Sequence, residues 1–251
     1  MLTTTLLEAI PFPEASTKLV RERALLQRVD TKFVLGLPRL EAILSLMSDH
    51  FGLVRAANQP IAEYRTIYFD TRDHRCLTDH HRGRRPRFKI RIRHYPDREV
   101  SFLEVKRKTS ANITIKHRRP IPYRQEHLQP EDQAFIDANS SIVASSLRPS
   151  LRTNFARISL VGLHTMERAT FDVNLCFDEQ ENTLDLPRLV IAEIKQARFM
   201  PRSPAMMALR SVGIRPLSVS KYCTAAMLRL PSVTMNRYRP KLRSMRRACH
   251  D

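Results

Sequence analysis

Arg87, Lys89, Arg91 and Arg93 stand at alternate positions in the stretch RPRFKIRIRHY, with Phe88, Ile90 and Ile92 between them. In an extended strand alternate side chains share a face. Four cations therefore line one side and three apolar groups the other. The pattern recurs along the chain. In VSFLEVKRK, Phe102, Glu104, Lys106 and Lys108 oppose Leu103 and Val105. Over 112–118, Asn112, Thr114, Lys116 and Arg118 oppose Ile113 and Ile115. Over 166–174, Arg168, Thr170, Asp172 and Asn174 oppose Ala169, Phe171 and Val173, and further on Glu193 and Lys195 oppose Ala192 and Ile194. LEVK at 103–106 and AEIK at 192–195 repeat a Glu and a Lys two apart on a polar face. Guanidinium and ammonium groups at this density are suited to phosphate, Arg as a bidentate fork and Lys as a point charge.

One strand of this kind is explained by an antiparallel sheet with a wet side, where Glu and Lys pair across strands. Several together are not, because a solvated face mixes its signs and this one is mostly cationic. Helices elsewhere in the chain need the apolar strand faces to pack on, which turns the charged faces inward. An eight-stranded closed sheet has room inside for side chains or one slender ligand. Burying cations there costs several kcal/mol per ion unless counter-charge enters. A linear chain of phosphates supplies that charge.

The elements that would position these residues follow from periodicity. Strands are predicted near 31–37, 63–70, 86–95, 100–108, 112–119, 152–162, 166–175 and 188–196. Helical spacing marks 17–29, 38–50 after Pro38, SPAMMALRSVG with Ser203–Pro204 at its start and Gly213 at its end, and SVSKYCTAAMLRL. Residues 125–146 read as helix and then loop. The fold class is α+β: an antiparallel eight-stranded closed barrel with helices packed outside. Residues 1–231 form one domain in this reading. Residues 232–251 form a basic C-terminal tail, disordered or folding as a short helix after Pro240 only on an anion.

Charge is concentrated where the pattern is. The 251-residue chain carries a formal +18. Residues 82–119 hold fourteen Lys/Arg against Asp97, Glu99 and Glu104, a net +11, and the last twenty residues hold six cations against Asp251. Such an excess implies a polyanionic partner. The four cysteines form no C-x-x-C and suit reduced thiols, which argues against a disulfide framework or zinc site. No run of eighteen apolar residues occurs and the N-terminus lacks a signal-peptide pattern. The expected location is the cytoplasm. With five glycines and no G-x-x-x-x-G-K, a phosphate cradle of backbone amides is excluded. His74, His80 and His81 match no metal-ligand spacing and read as a loop. Tyr68 and Asp70 of YFD read as a strand-end pair that hydrogen-bonds a turn. Met206 and Met207 read as core or helix surface.

In order along the chain, RVDTKFVL, YRTIYFDT, KIRIRHY, FLEVKRK, IKHRRPI, LRPSLRTNFAR, ERATFDVNL, IAEIK and SVSKY resemble the VTC domain, the polyphosphate polymerase module of the triphosphate tunnel metalloenzymes, over roughly residues 20–228. The resemblance implies an antiparallel tunnel holding a polyphosphate or triphosphate chain and a divalent metal, Mn²⁺ or Mg²⁺. It implies catalytic roles for Arg91, Arg93, Lys106 and Lys221. Substrate binding falls to Lys32, Arg65, Lys89, Lys116, Arg157, Arg168 and Lys195. Metal ligation falls to Glu193, with Glu104 as a second carboxylate. Where the family often has a second lysine, three positions before Lys221, this chain has Ser218, so one end of the tunnel is expected to grip less tightly.

The implied reaction moves the terminal phosphoryl of ATP onto polyphosphate. Two alternatives stay open: a triphosphatase or polyphosphatase of the same superfamily, with water near Glu104 or Asp172, and a non-catalytic binder of polyphosphate or nucleic acid. The last is disfavoured by the absence of Trp and by a parity that puts Phe88, Phe155 and Phe171 on the apolar side. The basic tail is the remaining candidate for nucleic acid. Oligomeric state is not legible.

Overall fold

A computed structural model describes residues 2–24, 28–111, 113–179, 182–230 and 236–250. Asn112 lies outside the described residues. Ten strands form one antiparallel sheet. Its main path runs β1 (Val29–Gly36), β10 (Leu189–Gln196), β8 (Glu167–Glu179), β7 (Leu147–Gly162), β3 (Ile61–Thr71), β4 (Arg87–Tyr95), β5 (Val100–Lys108) and β6 (Thr114–Ile121). Two short strands that periodicity does not mark lie off this path: β2 (Phe51–Leu53) pairs with β7 and β9 (Asn182–Leu186) with β8. Three to five residues are too few to display an alternation.

The expected hydrogen-bonded closure is not found: among the described residues no ladder joins β6 to β1. Instead Leu217 donates its amide to the Lys32 carbonyl at 2.7 Å, and Pro216 bridges to Phe33, so a loop covers the free edge of β1. The sheet is nevertheless curled. Lys89 feels the charge of Lys32, and Lys108 that of Asp30. Five and six strand steps separate these pairs, about 24 and 29 Å in a flat sheet, too far for such an interaction.

The apolar parity faces outward and is covered by helices, as expected. α1 (Leu2–Ala9), α3 (Leu40–Met47) and α6 (Pro204–Ser211) bring Leu7, Leu40, Ile43, Leu44, Met47, Met206 and Leu209 onto Phe33, Leu35, Ile158, Phe171 and Ile194. Met207 is exposed. Farther round, α4 (Arg75–Arg82) and α5 (Pro130–Asn139) set Cys76 and Ile136 against Phe69, Ile90, Ile92, Leu103 and Val105. The histidine-bearing segment read as a loop is thus mostly helix: His74 caps α4 with φ 54°, and His80 and His81 lie within it. Its start is fixed by Asp70, which accepts from the amides of Thr71, Cys76 and Leu77 at 2.8–3.0 Å. Of the helix predicted at 17–29, α2 occupies Thr17–Glu22.

Two helices do not pack outside. α7 (Lys221–Arg229) and α8 (Arg239–His250) lie across the concave side at one end. α7 buries Tyr222 and Ala226 on Tyr68, Leu151 and Phe177. α8 buries Met245 and Ala248 among Val34, Leu175, Leu189 and Ile191. A bulge explains the apolar lining there. Asn174 sits at φ 51° where the β7–β8 register shifts, so the parity of β8 flips and Leu175 and Phe177 turn inward. The tail, expected to be disordered or to fold as a short helix on an anion, is helical over Arg239–His250. One face of it (Leu242, Met245, Ala248, Cys249) is apolar and packs into this cluster. No helix is long and apolar enough to cross a membrane among the described residues.

Candidate active site

Register puts the named cations on one concave surface. Lys89 pairs with Lys106, Arg91 with Glu104, Arg157 with Asp172, Lys195 with Arg168 and Lys32 with Glu193. Three carboxylates organise it, each held by two cations. Arg91 meets Glu104 at 2.6 Å, and Lys116 reaches the same carboxylate from β6. Arg157 grips Asp172 through Nε and Nη2 at 2.5 and 2.9 Å, and Lys221 closes on it from the start of α7. Lys32 and Lys195 flank Glu193.

Burial disfavours the ionised form of each carboxylate, yet these cations hold all three well below the ordinary range. The reverse holds for the lysines. The Arg91 charge, burial and Arg93 push Lys106 far down, and burial pushes Lys89 down. Lys221 falls to about 8 through burial, with Asp172 opposing and Arg157 adding. Lys106 makes no hydrogen bond or ion pair with a described residue. Arg93 forms no ion pair with a described carboxylate either; its Nε donates to Thr66 at 3.2 Å. The surface is short of negative charge.

Ten of the eleven cations assigned by sequence converge here. Arg65 does not. On β3 it has the parity of Ile67 and Phe69, opposite to Tyr64, Thr66 and Tyr68, and its side chain is 60% exposed beside Glu63. Other residues take its place. Tyr68 receives a hydrogen bond from Arg91 at 3.4 Å and stacks on Tyr222. Tyr222 in turn donates to Asp70 at 2.5 Å, so only half of the predicted turn pairing at YFD occurs. Tyr64 and Phe155 stack at 5.0 Å, beneath Arg93 and Arg157. Phe155 is thus on the cationic side, a correction to its assignment as apolar. It shares the parity of Arg157, which was the available signal. The hydroxyls of Thr153 and Thr170, buried and without a partner among the described residues, also face this chamber.

No group of three or more His, Cys, Asp or Glu is close enough to hold a metal among the described residues. Glu193 and Glu104 belong to separate clusters. Each is an ionised hard-oxygen donor, which suits Mg²⁺ or Mn²⁺ bound through one carboxylate with substrate phosphates completing the shell. The residues fit a metal in that way and not as an all-protein cage. His80, within α4, is pushed down to about 2 by burial and by Lys89, Arg87 and Lys241.

A curled antiparallel sheet with a concave cationic face defines the class of protein. The family model for the VTC domain matches residues 27–229, and the chain belongs to that family. No curated protein matches it significantly. Among solved structures it is similar to a candidate adenylate cyclase of Bacillus halodurans (12% identity, TM-score 0.49, 77% of this chain and 94% of that one). It is also similar to a candidate adenylyl cyclase of Hippeastrum described as having a dominant triphosphatase activity (13%, 0.47, 84% and 99%). A third is a protein of Pyrococcus horikoshii (13%, 0.45, 80% and 100%).

Proposed function

We propose that the protein is a metal-dependent polyphosphate polymerase that transfers the terminal phosphoryl of ATP to a polyphosphate chain on this concave surface. The observation that carries the reading is the shared face itself: ten Lys and Arg side chains gathered against Glu104, Asp172 and Glu193, with Lys106 and Arg93 in no ion pair with a described carboxylate. Family membership supports it.

A terminal oxygen of the chain would attack the γ-phosphorus of ATP, and the bond to the β-phosphate oxygen would break, its electron pair leaving with ADP. Such transfers have loose transition states, so catalysis is alignment and charge neutralisation. Arg91 and Arg93 would grip the nucleotide phosphates, with Lys106 and Lys221 meeting the transferred group. Lys32, Lys89, Lys116, Arg157, Arg168 and Lys195 would hold the rest of the chain. The acceptor is already an anion and needs no general base. Mg²⁺ or Mn²⁺ on Glu193, with Glu104 as the second candidate, would supply further neutralisation. A cytoplasmic setting is part of this proposal, supported by four cysteines that form no disulfide.

Hydrolysis of a short triphosphate is the second reading, favoured by the apolar end that α7 and α8 give the chamber. Incubation with ATP and Mn²⁺ separates the two. Polymerase activity gives chains resolvable on a gel, hydrolase activity gives only free phosphate, and neither product refutes both.

A further inference from the structure

The cations do not stop at the chamber. Along β4 the inward residues Arg93, Arg91, Lys89 and Arg87 extend over about 20 Å. Lys106 and Lys108 stand opposite Lys89 and Arg87 on β5. Lys108 feels the charges of Arg85 and Arg87, so the line of charge extends past Lys89 to the end of these strands. Just before β4, Arg82, Arg84 and Arg85 are exposed on the connection from α4. The C-terminal segment comes to meet them. Arg237 donates to the Arg82 carbonyl at 3.4 Å, the Tyr238 ring lies 6.1 Å from that of His81, and Lys241 stands 4.7 Å over Tyr238. The charges of Lys89, Arg87 and Lys241 all bear on His80, which ties this exterior cluster to the chamber. Asp79, 3.3 Å from Arg84, is the only carboxylate ion-paired with these exterior cations among the described residues. Arg237 and Lys241 lie beyond the family-matched residues, so the domain's own reaction does not account for them.

We propose that Arg82, Arg84, Arg85, Arg237 and Lys241 form an exterior binding track for linear polyphosphate, holding the part of the chain that lies outside the chamber. The proposal rests on the phosphate-chain reading above and adds a site which that reading does not use. A single-stranded nucleic acid fits less well, because such strands need open aromatic faces for stacking and Tyr238 is only 8% exposed. Two linked sites raise affinity through effective concentration without altering either one. Long chains should therefore bind more tightly than triphosphate, with a steeper dependence on salt.

The test compares the full chain with a triple variant, Arg82→Ala, Arg85→Ala and Arg237→Ala, none of whose side chains ion-pairs with a described carboxylate. Binding of long-chain polyphosphate and of inorganic triphosphate is measured across a salt series. The expected result is a loss of about tenfold or more for the long chain and a flatter salt slope, with triphosphate binding changed less than about twofold. Equal losses for both ligands, or no loss for either, would overturn the track. So would displacement of the long chain by RNA of equal charge as effectively as by polyphosphate itself. If the unaltered protein binds neither phosphate ligand, the proposed function fails and the track fails with it. If triphosphate binds and the variant is indistinguishable on long chains, the track alone fails.

Discussion

At the residue scale the chamber is a set of cations that fold at a cost and repay it with a ligand. Lys106 shows this most clearly, since it makes no ion pair with a described residue and the Arg91 charge opposes its own more than Glu104 favours it. Lys106→Ala should abolish turnover while leaving the melting temperature unchanged or raised; a folded variant with normal activity would remove Lys106 from the machinery. Lys221 carries a pH prediction. Its folded value is about 8 against an ordinary 10.5, so above pH 8 the empty chamber loses one charge and triphosphate affinity should decline. The sign for stability is opposite. Between pH 8 and 10.5 the unfolded lysine holds a proton that the folded one has released, so this group makes stability rise with pH. Lys221→Arg should flatten the affinity profile, and titration calorimetry at several pH values would show it. Most of these residues were legible because strand parity is strict. Arg65, expected on the same face, lies on the opposite one: Tyr64, Thr66 and Tyr68 occupy the inward side. Tyr64 and Phe155 were missed because aromatic side chains do not announce that they support guanidinium groups.

At the element scale, eight strands and the covering helices α3 and α6 could be read from alternation and spacing, but α1, α4 and the ends of the chamber could not. The bulge at Asn174 shifts the parity of β8 midway, and no local composition signals it. The C-terminal helix was hidden by its cations. Arg239, Arg243, Arg246 and Arg247 dominate its composition, whereas its folding depends on the few apolar residues that meet Val34 and Ile191. That distinction is measurable. Met245 is 4% exposed, and Met245→Ala should cost about 2 kcal/mol, lowering the melting temperature by about 4–8 °C. Arg246→Ala, on the exposed side of the same helix, should change stability by less than about 0.5 kcal/mol. A mobile tail would leave both variants at the wild-type melting temperature.

At the scale of the whole molecule, a net +18 is least comfortable where it is most enclosed. Sequence conveyed the excess and its side of the sheet but not the closure. Whether eight strands join into a ring depends on tilt and stagger accumulated over all of them, and here β1 is finished by the Pro216–Leu217 loop instead of by β6. What the curl achieves is proximity between distant strands. Lys32 lowers Lys89 although five strand steps separate them, so the empty fold carries repulsion that an oligophosphate would relieve. Ligand binding must then appear as stability. At a hundred times its dissociation constant, triphosphate should add about 2.7 kcal/mol, raising the melting temperature by about 5–10 °C. Sulfate at equal ionic strength should do much less, because single anions cannot bridge the Arg91, Arg157 and Lys32 clusters together. The difference should shrink in Lys106→Ala, while in Met245→Ala the increment should persist above a lower baseline. If triphosphate and sulfate shift the wild-type transition equally, these cations respond to ionic strength alone and do not form one site for a chain of phosphates.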